Sequence, residues 1–319
     1  MKAFVLEQSQ TIDDLHEAEV FMATHPTAGK VRIRVHAVGL NPVDYKIASH
    51  HPAQWEYPHI SGLDIAGTVI AGGSWPVGTR VLVHHDLRAQ GGLAEYVDVD
   101  ARAVAVIPAT VSFEAAAALP TAALTAYQAV MDRLRVAPGQ VIGIIGGSGA
   151  VGAFAIQLAK QTGAMVVATS STAKAQWVRD LGADVVIDYT QGDLWEQLGA
   201  YSFDGIIDTV GTSSATHALE HIKHGGGLVT INGAPQRFPE PFAKAISLHE
   251  VALGAAYSHG ESSHIRQLSQ DLSVVLNMVA VGDLDPLCQQ LVGWDGVVAA
   301  FRDLQAGKIR GKVVARLRD

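Results

Sequence analysis

A glycine-rich segment between a predicted strand and a predicted helix constrains the fold of this chain more than any other feature. The segment reads VIGIIGGSGAVG and spans residues 141–152. Gly147, Gly149 and Gly152 have the spacing G-x-G-x-x-G. In that pattern the first glycine permits a tight turn, the second lets the backbone approach a diphosphate, and the third lets the helix pack closely against the strand. The segment therefore predicts a dinucleotide-binding turn; a glycine-rich turn without a ligand is the alternative.

The residues after this turn alternate between strand and helix patterns. Strands are predicted at Val141–Ile145, Met165–Thr169, Asp184–Ile187, Gly205–Asp208 and Gly227–Asn232, and helices at Ala150–Thr162 and Ala173–Leu181. Strands that alternate with helices imply a parallel sheet covered on both faces. The N–H groups at the start of the first helix, at Ala150 and Val151, are expected to face the bound anion.

The two ends of the chain have a different character. The first hundred residues predict a mostly β domain, with strands at Val31–Val35, Asp64–Ile70, Arg80–His84 and Leu93–Val99. Ser112 is a candidate N-cap for a helix at Phe113–Leu119. The last sixty residues predict two helices and a closing strand, at Ser262–Val279, Gly296–Gln305 and Lys312–Leu317.

The residues after the second strand of the predicted nucleotide domain favour NADPH over NADH. An NAD site places an acid about 20 residues past the glycines, where it binds the ribose hydroxyls. Here the second predicted strand ends at Thr169. It is followed by Ser170, Ser171 and Lys174, and no acid occurs before Asp180. Hydroxyls and an ammonium group suit a 2′-phosphate. The alternative for Lys174 is a solvated lysine on a helix face.

Composition excludes several classes of function. The 319 residues carry 23 basic and 31 acidic side chains, a net charge of −8, which disfavours nucleic-acid binding. Cys288 is the sole cysteine, so no intramolecular disulfide forms and a reducing compartment fits. Neither a signal peptide nor an apolar run long enough to span a membrane is evident. We expect a cytoplasmic enzyme.

Several further motifs occur in a fixed order along almost the whole chain. They are A-x-G-x-N-P-x-D at 37–44, G-x-D-x-A-G at 62–67, a G-D-R-V variant with Thr79 in place of the acid, G-G-x-A-E-Y at 91–96, L-T-A-Y at 124–127 and G-K-x-V at 311–314. In this set and order the chain resembles the medium-chain dehydrogenase/reductase superfamily, in particular its quinone oxidoreductase-like branch.

The resemblance implies an α/β fold in which a doubly wound Rossmann sheet is inserted into a mostly β GroES-like domain. The GroES-like substrate domain would be 1–119 with 258–319, and the Rossmann domain 120–257. The resemblance also implies a homodimer, with Leu253–Ala255 in a strand that pairs across it. Further cofactor contacts are implied at Thr125, Tyr189, Val210, Gly211, Asn232, Gly233 and Lys312.

Zinc enzymes of this superfamily bind catalytic zinc with Cys, His and Cys, and this chain lacks those residues. Asn41 replaces the first cysteine and Leu63 the histidine, while the Leu119–Thr121 segment offers no thiolate. We therefore expect no metal. A separate H-x-x-E-H pattern at 217–221 resembles a metalloprotease motif. A polar helix face is the favoured interpretation of that pattern.

Without a Lewis acid, hydride addition to a conjugated system is the favoured chemistry, because charge delocalises onto a distant oxygen that hydrogen bonds stabilise. We expect NADPH-dependent reduction of a quinone or of a C=C bond conjugated to a carbonyl. Asn41, Asp44 and Tyr45 are the candidate catalytic residues. Trp55 and Tyr57 are other nearby candidates, His51 is expected at the rim, and the proton donor stays open. The alternatives are an NADPH-binding sensor or structural protein with little turnover, and a zinc-free alcohol dehydrogenase.

Overall fold

The protein is described by a computed structural model that covers residues 1–7, 11–49, 54–237 and 243–317. The chain forms two compact units. Unit 1 joins Met1–Leu124 with Leu253–Asp319, and unit 2 is Thr125–Ala252. Unit 2 is therefore an insertion in the sequence of unit 1.

The first part of unit 1 is built mainly from strands. The strands are β1 Lys2–Leu6, β2 His16–Glu19, β3 Lys30–Leu40, β4 His59–Ile60, β5 Asp64–Gly72, β6 Arg80–His84, β7 Tyr96–Asp100 and β8 Val104–Val106. The helices of this part are α1 Pro42–Ala48 and α2 Phe113–Ala117. Helix α3 Pro120–Tyr127 starts in unit 1 and ends in unit 2, where a π-helical turn at Gln128–Arg133 continues it. The predicted N-cap is confirmed, because the Ser112 side chain accepts a hydrogen bond from Ala115 N at 3.1 Å.

Unit 2 is a parallel sheet with helices between its strands. Its strands are β9 Val141–Ile145, β10 Met165–Ser170, β11 Val185–Asp188, β12 Phe203–Asp208, β13 Ile222–Thr230 and β14 Ser247–Glu250. Its helices are α4 Ala150–Gln161, α5 Ala175–Asp180, α6 Leu194–Leu198 and α7 Thr212–Ala218. The strand order is β11-β10-β9-β12-β13-β14, with every neighbouring pair parallel. This is the order of a doubly wound dinucleotide-binding sheet, and it reverses direction between β9 and β12.

The remaining elements return to unit 1. They are α8 Ala255–Ser258, α9 Ser262–Val281, β15 Cys288–Val292, α10 Val297–Gln305 and β16 Lys312–Arg316. One sheet has the order β15-β16-β3-β5-β6-β8, with β7 also paired to β3, and a smaller sheet has the order β2-β1-β4. The core of unit 1 packs residues of both chain ends together, for example Leu6 and Val31 with Phe301 and Val313. The C-terminal segment thus completes the hydrophobic core of the N-terminal segment.

Some predicted elements differ from those in the structure. Leu253–Ala255 does not form a strand: these residues lie in a turn and at the start of α8, and β14 is the last strand of the parallel sheet. Strand β13 begins at Ile222, five residues before the predicted start at Gly227. The first half of this strand is not predicted, because Gly225 and Gly226 interrupt the pattern of apolar side chains. Within the described residues, no helix combines the length and the apolar character needed to cross a bilayer.

Candidate functional site

The glycine turn follows β9 and leads directly into α4. Gly146, one residue before the predicted motif, has φ +85, a left-handed conformation that favours glycine. Its N–H donates to Thr169 Oγ1 at 2.9 Å, and Gly147 N donates to the Thr169 carbonyl at 2.9 Å. A Cβ on Gly152 would lie 2.3 Å from Gly146 O, so this position accepts no side chain without a shift. The turn is therefore fixed by β10 on one side and by the start of α4 on the other.

The N-terminus of α4 is arranged as an anion site. Gly149 is its N-cap and supplies no side-chain hydrogen bond, and the first N–H groups of a helix have no partner within it. A Cβ on Gly149 would meet only Gly146 O, at 3.4 Å, so the space outside the turn is open. Ala150 and Val151 are the first two helical residues. These features fit the diphosphate of a dinucleotide.

The end of β10 lies where the adenosine ribose of such a ligand is expected. Ser170 is fully buried, and its hydroxyl donates to the Ser171 carbonyl at 3.2 Å. This geometry does not support the predicted contact between the Ser170 hydroxyl and a 2′-phosphate. Lys174 and Ser171 are partly exposed, and Tyr189 is half-exposed. Their contacts with a cofactor stay predictions.

A loop after β12 lies at the same edge of the sheet, beside the switch point, and one buried carboxylate organises it. Asp208 accepts hydrogen bonds from Val210 N and Gly211 N, each at 2.9 Å, and from the hydroxyl of Ser214. Burial raises the pKa of Asp208. Val210 is exposed at the tip of the loop. Val210 and Gly211 are predicted cofactor contacts, whereas Asp208, which holds them in place, carries no motif that marks it in the sequence.

The next strand, β13, leads to the other predicted contacts on this side. Asn232 donates from Nδ2 to the Thr209 carbonyl at 2.7 Å, which links the segment after β13 to the loop after β12. Gly233 follows with φ +132. Thr125, predicted to touch the phosphates, is buried in α3. The structure places these residues but does not test the contacts predicted for them.

Unit 1 contains a buried polar group that we call the Lys312 network: Asn41, Asp64, Thr121 and Lys312. The ammonium of Lys312 donates to Asn41 Oδ1 and, at 3.1 Å, to Asp64 Oδ2. Asn41 Nδ2 donates to the same Asp64 oxygen at 2.9 Å. Thr121 N and Oγ1 donate to Asp64 Oδ1 at 2.9 and 2.6 Å. The network joins the ends of β3, β5, α3 and β16.

The Lys312 network changes the interpretation of two predicted site residues. Asn41 and Lys312 are each 2% exposed, and their polar atoms are engaged with each other and with Asp64. A direct contact of Lys312 with the cofactor is not supported by this geometry, and neither is a direct contact of Asn41 with a substrate. Asp64 is not among the predicted site residues, because its partners come from three distant segments of the chain.

Asp44, another predicted catalytic residue, lies in α1 next to this network. Its Oδ2 accepts a hydrogen bond from Asn41 N at 2.8 Å, which closes the first turn of the helix. Burial raises the pKa of Asp44 to about 7, with the negative charge of Asp64 as a further cause. Tyr45 is partly buried, and burial raises its pKa, so its hydroxyl keeps its proton at neutral pH. His51 lies outside the described residues.

Unit 1 also contains a group of buried histidines, and one of them, His59, lies near Asp44. Among the described residues, the buried side-chain atoms that lack a hydrogen-bond partner are His59 Nδ1, Ser61 Oγ, His84 Nδ1 and His85 Nδ1. His59 stacks on Trp55 at 3.6 Å between ring centroids. Asp44, His59 and Ser61 line one small cavity. Burial lowers the pKa of His59 and of His85 to about 4, so both rings are neutral at pH 7.

The H-x-x-E-H pattern forms no metal site in the part of the chain that the structure describes. His217 and His221 both stack on Trp195, at 5.0 and 5.8 Å between ring centroids. Their rings thus pack against one indole of α6. Across the described ranges, no three His, Cys, Asp or Glu side chains are grouped in a way that could hold a metal ion.

Comparisons with known proteins give the family. The family described as "Alcohol dehydrogenase GroES-like domain" matches residues 27–109, and the family "Zinc-binding dehydrogenase" matches residues 181–314. The chain is 32% identical to 2-methylene-furan-3-one reductase of Solanum lycopersicum, over 97% of this chain and 74% of that protein. It is 34% identical to the chloroplastic NADPH-dependent alkenal/one oxidoreductase of Arabidopsis thaliana, over 73% of this chain and 63% of that protein.

A solved structure agrees with these sequence matches. The quinone oxidoreductase from Coxiella burnetii superposes with a TM-score of 0.86 at 26% identity, covering 100% of this chain and 99% of that one. Its fold therefore extends over both units. The chain belongs to the medium-chain dehydrogenase/reductase superfamily, in its quinone oxidoreductase-like branch.

Proposed function

We propose that this protein transfers hydride from NADPH to a quinone or to a C=C bond conjugated to a carbonyl, without zinc. One observation carries the zinc-free part of the proposal. Asn41, which the resemblance places where zinc enzymes of the superfamily have their first zinc-binding cysteine, accepts a hydrogen bond from the buried ammonium of Lys312. A fixed cation and a neutral amide do not fit a site for Zn²⁺, which takes thiolate, imidazole or carboxylate ligands. No step of the reaction is therefore assigned to a metal.

The residues of unit 2 fit a nicotinamide dinucleotide. The diphosphate would accept hydrogen bonds from the N–H groups at the start of α4, with open space beside Gly149. Once bound, the nicotinamide supplies the hydride. Asp208 holds the loop of Val210 and Gly211 at the carboxyl end of β12, beside the point where the strand order reverses. This loop is where we expect the nicotinamide ring to be oriented.

The names of the relatives support the acceptor class. These names contain a methylene-furanone, an alkenal or alkenone, and a quinone. In each of these acceptors a C=C bond is conjugated to a carbonyl. Hydride addition to such an acceptor leaves an enolate or a hydroquinone anion, and a proton from water completes the reduction. Overall, acceptor, NADPH and H⁺ give the reduced acceptor and NADP⁺. NADPH rather than NADH is proposed from Ser171 and Lys174 after β10 and from the name of the Arabidopsis relative.

The reaction is tested with the purified full chain. NADPH oxidation is followed with quinones, enones, saturated ketones and, in reverse, simple alcohols with NADP⁺. We expect turnover with conjugated acceptors alone, unaffected by a chelator, and deuterium from labelled NADPH at the β-carbon of an enone. Binding of NADPH without oxidation by any acceptor would favour the sensor alternative. Chelator-sensitive alcohol oxidation would overturn the zinc-free proposal.

We also infer from the resemblance that the active protein is a homodimer, and from the composition and the N-terminal sequence that it works in the cytoplasm. Light scattering of the purified chain tests the first inference, with a mass near twice 33.6 kDa expected. A monomer with full activity would contradict it. Fractionation of the native cells tests the second inference.

A further inference from the structure

An NAD site places an acid after the second strand of the nucleotide domain, and no acid stands at the end of β10, but the neighbouring strand supplies one. Asp188 is the last residue of β11, and in the parallel pairing of the two strands its Cα partner is Ser170. The next residue, Tyr189, donates its N–H to the Ser170 carbonyl at 3.1 Å. Neighbouring strands lie about 4.8 Å apart. The carboxylate of Asp188 therefore lies beside the segment that is expected to bind the adenosine ribose.

Hydrogen bonds hold this carboxylate against that segment. Asp188 accepts from Thr190 N at 2.9 Å, from Thr190 Oγ1 at 2.6 Å and from the hydroxyl of Thr172, the first residue of the turn that leads into α5. The hydrogen bonds from Thr172 and Thr190 keep the pKa of Asp188 below its ordinary value. Asp188 is thus a negative charge with a fixed position. One of its partners, Thr172, precedes Lys174 by two residues.

A carboxylate at this place acts oppositely on the two nicotinamide dinucleotides. It accepts hydrogen bonds from ribose hydroxyls, as the acid of an NAD site does. It repels a 2′-phosphate, which carries between one and two negative charges near neutral pH. Lys174 attracts the same phosphate. We propose that Asp188 is a specificity-determining residue that opposes Lys174, weakens the binding of NADPH and keeps NADH usable. This inference rests on the proposed function, because it assumes that a nicotinamide dinucleotide binds to unit 2.

The test measures nucleotide binding, not turnover. Dissociation constants of NADPH, NADH, 2′,5′-ADP and 5′-AMP are determined by calorimetry for the wild type and for D188N. Asparagine keeps an oxygen that can accept from Thr190, so the local turn is retained. At an ionic strength of about 0.05 M, we expect D188N to shift the affinity ratio toward NADPH by about three- to tenfold, with a parallel shift for 2′,5′-ADP over 5′-AMP. Near 1 M salt, most of this shift should vanish, because exposed charges are screened.

Matched variants separate a charge effect from a structural one. D180N removes the same charge from the exposed far end of α5 and should leave the ratio unchanged. K174M should shift the ratio toward NADH. D188S, whose hydroxyl can also accept from Thr190, replaces D188N if that variant fails to fold. A ratio that stays constant in D188N and D188S at low salt overturns the inference while the proposed function stands. Failure of the wild type to bind either dinucleotide overturns both.

Discussion

Lys312 is a charged side chain that folding removes from water. Two partners compensate its buried charge. The ammonium is 2% exposed and touches Asp64, which is fully buried, and Asn41. A buried ion pair contributes little compared with a well-packed apolar pair, but removal of one member leaves the other charge buried without compensation. The identity of residue 312 is therefore coupled to that of residue 64.

The coupling gives a prediction for single and double variants. K312M should lower the free energy of unfolding by about 3–5 kcal/mol, because Asp64 would keep its charge without its cation. D64N in the K312M background should recover part of that loss. Urea unfolding measures both. R316M, which removes an exposed ion pair with Glu114, should change stability by less than about 1 kcal/mol. Additive effects of D64N and K312M would contradict the coupling.

In the strand–turn–helix element of unit 2, two glycines of the G-x-G-x-x-G motif have different roles. One concerns ligand access and the other helix packing. Gly149 has φ −79 and ψ 163, which any residue adopts, and a Cβ there would meet only one atom, at 3.4 Å. A Cβ on Gly152 would overlap Gly146 O at 2.3 Å. Gly152 therefore serves the packing of α4, whereas Gly149 keeps the outer side of the turn open.

Two alanine variants test this division of roles. G149A should keep the thermal stability of the wild type within a few degrees and weaken NADPH binding about tenfold or more, equivalent to about 1.4 kcal/mol. G152A should destabilise unit 2 by about 1–3 kcal/mol, because the added methyl group forces backbone shifts. Thermal unfolding and calorimetric titration distinguish the two effects. Equal loss of stability in both variants would show that Gly149 also serves packing.

The sequence predicts those elements whose signals are local, and it misses those that depend on strand pairing. The turn at 146–152, its flanking strand and its helix share one short segment, so the predicted element is confirmed. Helix α1 is not among the predicted helices, because an Asn-Pro pair commonly begins a turn. In the structure Asn41 is its N-cap, and the Asp44 side chain accepts from Asn41 N. Asp188 matters because it pairs in register with Ser170, and register across 18 residues has no local signal.

At the scale of the whole molecule, unit 1 has titratable groups whose pKa values move in opposite directions on folding. His59 and His85 are buried, with the pKa of each lowered from 6.5 to about 4. Asp44 is buried, with its pKa raised to about 7. Between pH 4 and 6.5 the unfolded chain binds two more protons at His59 and His85, while the folded chain binds one more at Asp44. Burial also lowers the pKa of His84, which adds to the excess of protons on the unfolded chain. The histidine contribution to stability is complete above pH 6.5 and is lost as the pH falls toward 4. The Asp44 contribution is complete below pH 4 and is lost as the pH rises toward 7.

The excess of at least one proton on the unfolded chain predicts how acid acts on unit 1. Its free energy of unfolding should fall by at least about 2–3 kcal/mol between pH 6.5 and 4.5, since one proton corresponds to 1.36 kcal/mol per pH unit. In H85Q, whose amide can still donate to Gln90 O, the slope should fall by the equivalent of about one proton, because residue 85 no longer takes up a proton on unfolding. D44N should steepen the slope by about the same amount, because it removes the opposing contribution of Asp44. Urea titrations monitored by hydrogen exchange in β5 and β6 measure unit 1 separately from unit 2. Parallel curves for H85Q and the wild type would mean that His85 is protonated in the folded protein, contrary to its burial.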